Sequence, residues 1–120
     1  MIHHVTIEVS DLERSGAFYD RLFAALGWRR HTDTESRIGW GIAKQWFFVT
    51  SDGPANPGRS QVCFSASGMV AVKAAWAEGV EAGGKDDGEP GARPELGPGY
   101  YSAYLLDPDG YRLEIAVDRA

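Results

Sequence analysis

Asp107-Pro108-Asp109-Gly110-Tyr111-Arg112-Leu113-Glu114-Ile115-Ala116-Val117 is the stretch whose reading decides the fold. Pro108 sets φ for a type I turn, Asp109 favours that turn, and Gly110 supplies the positive φ of a bulge, so two strands meet here as a tight hairpin. Beyond the turn, Leu113, Ile115 and Val117 alternate with Arg112, Glu114 and Ala116 across the two faces of a strand. Glu114 therefore stands mid-strand on the second face, and an acid at the centre of a sheet face is either solvated or part of a site. Across the ladder, Tyr104 is expected opposite Glu114, with Ser102 and Leu106 beside it and Tyr100 in the same row.

The chain around this hairpin is 120 residues long, enough for one compact domain with a real core. Hydrophobic residues at 43% and charged residues at 24% place it among ordinary globular proteins. A net charge of -5 leaves no basic patch for nucleic acid and no polybasic segment for an anionic membrane. Cys63 is the only cysteine, so no intrachain disulfide forms and a reducing cytoplasm is the expected home. Met1 to Val5 runs straight into a strand pattern without the charged and apolar regions of a signal peptide, and no apolar run is long enough to span a bilayer.

From Ile2 to Val9 the alternation is clean, with Val5, Ile7 and Val9 on one face and His4, Thr6 and Glu8 on the other. Ser10 followed three positions later by Glu13 has the form of a capping box, and Leu12, Phe18 or Tyr19, Leu22, Phe23 and Leu26 recur at helical spacing. These predict a helix from about Asp11 to Leu26, ended by Gly27. Arg29 to Asp33, Arg37 to Ile42 and Gln45 to Thr50 read as three short strands. Residues 51–60, rich in Gly, Pro and Asn, read as a linker.

After the linker the opening pattern returns. A shift of 57 positions lays Val5 on Val62, Ser10 on Ser67, Leu12 on Met69, Tyr19 on Trp76 and Gly27 on Gly84, without a gap. Gln61 to Ala66 is then a second first-strand and Met69 to Ala82 a second helix. Lys85 to Gly99 is a polar, Gly- and Pro-containing segment with room for one short strand and a loop. Tyr100 to Leu106 and Tyr111 to Val117 complete the hairpin. The expected fold is α+β, with two βαβββ modules, 1–50 and 61–120, in tandem. On the face away from each helix, parity groups His4, Thr6 and Glu8 in the first module and Gln61, Cys63 and Ser65 in the second.

His4-Val5-Thr6-Ile7-Glu8-Val9-Ser10-Asp11-Leu12 with Phe18-Tyr19 and Leu26-Gly27, together with the closing Leu106-Asp107-Pro108-Asp109-Gly110 and Leu113-Glu114, resembles the vicinal oxygen chelate superfamily. That superfamily includes glyoxalase I, extradiol dioxygenases, and the fosfomycin and bleomycin resistance proteins. The resemblance implies that the two modules form a curved mixed-sheet cup with a divalent metal inside, of which Zn, Mn, Fe, Ni and Co are the candidates. It places His4 at the ligand position of the opening strand, Gln61 at that of the second module's opening strand, and Glu114 at that of the last strand. By the repeat, the remaining ligand position falls near Phe47, which coordinates nothing. Such a site would act on a small-molecule substrate offering adjacent oxygens, by lyase, isomerase or dioxygenase chemistry, with Glu114 as its catalytic residue. The resemblance also implies a homodimer.

The other residues of these faces carry two readings each. Thr6, Glu8, Phe47, Cys63, Tyr100, Tyr104 and Arg112 are candidates for substrate contact, with Glu8, Tyr104 and Arg112 the nearest to proton transfer or anion binding. Glu8 and Arg112 equally suit an ion pair across the cup. Gln61 equally suits a hydrogen bond to a Tyr or the backbone, and Cys63 reads as a small buried residue. Asp109 and Gly110 read as turn chemistry alone. The competing function is a metal-free protein that sequesters a ligand in an aromatic cleft, as the bleomycin resistance proteins do.

Overall fold

In the computed structural model, which describes residues 1–118, the Asp107 turn closes as its residues dictate. The Gly110 amide donates to the Asp107 carbonyl at 2.9 Å, the Asp107 amide donates to the Tyr111 carbonyl at 2.9 Å, and Gly110 takes φ +94°. The strands it joins, β7 (Tyr101–Leu106) and β8 (Arg112–Val117), pair antiparallel with Tyr104 opposite Glu114.

The chain preceding them runs β1 (Val5–Glu8), α1 (Leu12–Ala24), β2 (Arg29–Asp33), β3 (Arg37–Gly41), β4 (Gln45–Thr50), β5 (Gln61–Ser65), α2 (Met69–Glu81) and β6 (Lys85–Ala92). Two four-stranded mixed sheets result, ordered β1-β4-β3-β2 and β5-β8-β7-β6, each with its opening strand parallel to its last. This is a tandem pair of βαβββ modules. The segment expected to hold one short strand is more regular than its composition suggested. β6 spans eight residues with bulges, and a single 3-10 turn at Pro94–Leu96 follows it. Its glycines break the alternation that would have announced a strand, and pairing to β7 overrides their weak propensity.

α1 starts one residue later and ends two earlier than its periodicity predicts, and its cap is different. Asp11, not Ser10, is the N-cap, and its carboxylate accepts from the Arg14 amide at 3.0 Å. Ser10 is drawn away by Asp109, whose carboxylate accepts from the Ser10 amide at 3.0 Å and from its hydroxyl, and pairs with Arg14 at 3.2 Å. Asp109 is thus more than a turn residue, because it fastens the second module's hairpin to the first module's helix.

One core serves both modules. α1 buries Phe18, Tyr19, Leu22 and Phe23, while Phe47 of β4 and Phe64 of β5 meet edge to face at 5.3 Å. Phe23 stands 4.9 Å from Phe64 and stacks on Trp28 at 4.6 Å. Ile7, Val62 and Leu113, from the apolar faces of both sheets, line one cavity of about 210 Å³ beside Phe47. Rings on the helix-facing sides of the two sheets thus meet in this core. The polar face of each sheet is therefore turned outward, away from the shared core.

Deep in this core the Tyr19 hydroxyl donates to Asp107 at 2.6 Å. Asp107 is 3% exposed, and its other oxygen accepts from the Asp109 and Tyr111 amides at 2.9 Å. Burial raises the Asp107 pKa above the usual carboxylate value, while the Tyr19 hydroxyl and the two amides hold it down. A carboxyl whose folded pKa is raised contributes stability that is complete below its unfolded value and is lost as pH rises through the folded one. Tyr19→Phe removes a donor to the charged form, so in urea titrations it should cost about 1–3 kcal/mol near neutral pH. The cost should be smaller below pH 4, where Asp107 is protonated, and an equal loss at both pH values would contradict this account.

Candidate functional site

The outward face of the second module is organised around Glu114. β8 is flanked by β5 and β7, so Cys63 and Tyr104 sit opposite Glu114 on either side. The carboxylate is 3% exposed, and it accepts from the Tyr100 hydroxyl at 2.9 Å and from Gln61 Nε2 at 3.3 Å. Tyr100 precedes β7 and folds back along the strand to reach it. Gln61, Cys63, Tyr100, Tyr104 and Glu114 are therefore brought together as their strand parity predicts.

Glu114 shapes the chemistry of its neighbours. Partial burial, followed by the adjacent Glu114 charge, pushes the Cys63 thiol up to about 12. Cys63 is exposed rather than buried, but a thiol held protonated in this way is a poor nucleophile. Burial and then the hydrogen bond to Glu114 also raise Tyr100, and burial and the Glu114 charge raise Tyr104. Both phenols are thus kept protonated, and that of Tyr100 donates to the carboxylate. A polar cavity of about 400 Å³, lined by Cys63, Ser65, Tyr100 and Ala116, opens beside this group.

The outward face of the first module has a different character. β1 pairs parallel to β4 with Thr6 beside Phe48 and Val5 beside Phe47. Phe48, not Phe47, therefore shares the face of His4, Thr6 and Glu8, and it occupies the position that Glu114 holds in the second module. Phe47 is 1% exposed and points into the core, against Tyr19, Phe23 and Phe64. His4 is exposed and meets Phe48 edge-on at 5.2 Å, with its Nδ1 2.9 Å from that of His3. Arg37 lies over the Phe48 ring at 4.2 Å. Gln45 also reaches this face: a Cβ at Gly39, the partner of Phe48, would lie 2.3 Å from Gln45 Oε1 and 2.5 Å from the Phe48 ring. The absence of that methyl lets both side chains lie flat, and Gln45 Oε1 is buried without a hydrogen-bond partner among the described residues.

The ion pair between Glu8 and Arg112 does not form. Glu8 accepts from the Thr50 hydroxyl at 2.6 Å and from the Asp52 and Gly53 amides at 3.2 and 3.3 Å, which pins the start of the linker. Arg112 pairs instead with Asp87 at 2.8 Å and lies 5.0 Å from the Tyr104 ring centre. His31 Nε2 lies 2.9 Å from the Ile42 carbonyl. His4 contacts His3 and Phe48 of its own module, while the hydrogen bonds to Glu114 come from Tyr100 and Gln61 of the second. Among the described residues no three His, Cys, Asp or Glu side chains converge on one point.

Arg37, Gln45, Phe48 and Arg93 are the residues of these faces that the strand patterns missed. Alternation along Gln45 to Thr50 groups Phe48 with Trp46 and Thr50, but only the parallel register shows which group faces outward. Arg93 lies just after β6, in the stretch without a readable period.

Comparison with known proteins agrees with this architecture. The Glyoxalase/Bleomycin resistance protein/Dioxygenase superfamily profile matches residues 1–115. A glyoxalase/bleomycin resistance protein from Albidiferax ferrireducens is 34% identical, with a TM-score of 0.86 over 94% of this chain and 95% of that one. A glyoxalase-related enzyme from Fulvimarina pelagi is 24% identical, with a TM-score of 0.75 over 97% of this chain and 86% of that one. A lactoylglutathione lyase from Agrobacterium tumefaciens shares 19% identity and a TM-score of 0.69, over 97% of this chain and 92% of that one. No curated protein matches significantly. The chain belongs to the glyoxalase/bleomycin resistance protein/dioxygenase superfamily.

Because the Glu114 charge helps hold the Cys63 thiol up, Glu114→Gln should lower the thiol pKa. Iodoacetamide alkylation of Cys63 followed from pH 7 to 11 should then rise at lower pH than in the unaltered protein. Superimposable pH profiles would mean that Glu114 does not act on the sulphur.

Proposed function

We propose that the protein binds a small molecule with two adjacent oxygens against the Glu114 face and moves a proton on it, in isomerase or lyase chemistry. The observation that carries this reading is the Glu114 carboxylate, set in mid-sheet, enclosed, and held by the Tyr100 phenol and the Gln61 amide beside an open polar cavity. A carboxylate oriented by fixed donors is prepared to take a proton from a carbon next to a carbonyl. Tyr100, kept protonated, would donate to an oxygen on which negative charge develops.

The superfamily implies a divalent metal. Gln61 and Glu114 lie in contact and each offers an oxygen, the Gln61 amide being free to present either end. An imidazole added to them gives a three-donor set with one negative charge, which suits Zn, Mn, Fe, Ni or Co with positions left open. His4, whose own contacts are with His3 and Phe48, would supply that imidazole from a second copy. A homodimer in which the first module of each copy covers the Glu114 face of the other would complete two such sites. Bound there, the ion would polarise a substrate oxygen as a Lewis acid.

A second reading rests on Phe48. With an apolar ring at the position matching Glu114 and a guanidinium stacked on it, the first module offers a platform for a flat ligand and no fourth donor. On that reading the protein sequesters its ligand without metal, as a resistance protein would.

Complementation separates the alternatives. Alone, His4→Ala and Glu114→Ala should each lose most bound divalent ion, read by elemental analysis of untagged protein. Co-expressed, they should recover about one site per mixed dimer, since one of its two sites keeps both residues. Equal metal content in the unaltered protein and both variants would reject the metal site, and a monomer in sedimentation analysis would reject the shared one.

A further inference from the structure

We propose that Arg93 is the residue that selects the ligand, by holding a carboxylate on the substrate beside Tyr104 and Glu114. This rests on the reading of the Glu114 face as the site for a molecule with adjacent oxygens, and it adds the charge and class of that molecule.

Arg93 and Arg37 are held in place without a carboxylate partner, Arg37 on the Phe48 ring of the first module and Arg93 beside Tyr104 on the Glu114 face. Arg14, Arg21, Arg30 and Arg112 each pair with a carboxylate, at 3.2, 2.9, 2.7 and 2.8 Å respectively. Half-buried Arg93 is held by neutral groups only: its Nε donates to the Ser102 hydroxyl at 3.0 Å and its Nη2 to the Glu89 carbonyl at 2.8 Å. Its guanidinium lies 5.1 Å from the Tyr104 ring centre. These contacts fix the orientation of the group without neutralising its charge. Two of the five N–H donors are used, which leaves three for a ligand. A planar guanidinium with free donors matches a carboxylate in a way that an ammonium does not.

The position of Arg93 also specifies what the carboxylate must be attached to. Ser102 and Tyr104 lie two residues apart on the same face of β7, and Tyr104 is the cross-strand partner of Glu114. A carboxylate on Arg93 therefore places the next carbon and its oxygen toward the Tyr104 and Tyr100 phenols and the Glu114 carboxylate. The class that satisfies both ends is a small 2-hydroxy or 2-oxo acid. Arg112 lies beside the same ring but is already balanced by Asp87, so the uncompensated charge is that of Arg93.

The test compares mandelate with its uncharged amide, mandelamide, by NMR titration of the Ser102 and Tyr104 amides in the intact protein. Mandelate should bind about tenfold or more tightly than mandelamide, the usual scale for a charge-assisted pair. Arg93→Gln should abolish that preference, Arg93→Lys should restore only part of it, and Arg29→Gln, an exposed site with the same charge change, should leave it intact. Equal binding of both compounds, or a preference that survives Arg93→Gln, overturns the role of Arg93 while leaving the Glu114 face as the ligand site. Binding of neither compound overturns both.

Discussion

The hydrogen bond from the Tyr19 hydroxyl to Asp107 is the constraint on which the arrangement of the two modules depends. It joins the first module's helix to the second module's turn inside the core. Beside it Asp109 holds Ser10 and Arg14, and the Tyr111 hydroxyl donates to the Glu8 carbonyl at 2.6 Å while accepting from the Asn56 amide. Three residues of one hairpin, Asp107, Asp109 and Tyr111, thus grip the end of β1, helix α1 and the linker. A tight turn holds its own side chains in fixed directions, so a grip made from a turn transmits one orientation to everything it touches. That orientation sets the apolar sides of the sheets face to face.

The packing gives the proposed donors different surroundings. Gln61 and Glu114 meet because β5 and β8 are neighbours, whereas His4 stands against Phe48 of the first module. The two outward faces also differ in chemistry. One is a hydrogen-bonded carboxylate among phenols, whereas the other is an aromatic ring with a guanidinium above it.

How much of this was legible depended on what sets each register. Tyr104 opposite Glu114 could be read directly, since a tight hairpin turn leaves its strands one pairing. β1 and β4 are parallel and joined through a helix and two further strands, so no turn determines their register, and a slip of one residue exchanges the two faces. That slip is the difference between Phe47 and Phe48. The partners of Glu8, Arg112 and Asp109 were illegible for another reason, because long charged side chains choose among acceptors that only the assembled fold brings near. The family resemblance supplied His4, Gln61 and Glu114 as one set, but not the contacts that His4 makes with Phe48 and Glu114 with Tyr100.

Phe48 and Glu114 stand at equivalent positions of a duplicated unit, yet neither side chain helps to fill the common core. Each module carries its stability on one face and its chemistry on the other, and the two share only a backbone. Phe48 and Glu114 are nonetheless each buried on their own sheet, Phe48 over Gly39 and Glu114 among Tyr100 and Gln61, so a change at either must be answered by its immediate neighbours rather than by the common core. An aromatic ring and an acid at matched places thus give one repeated frame two unlike faces.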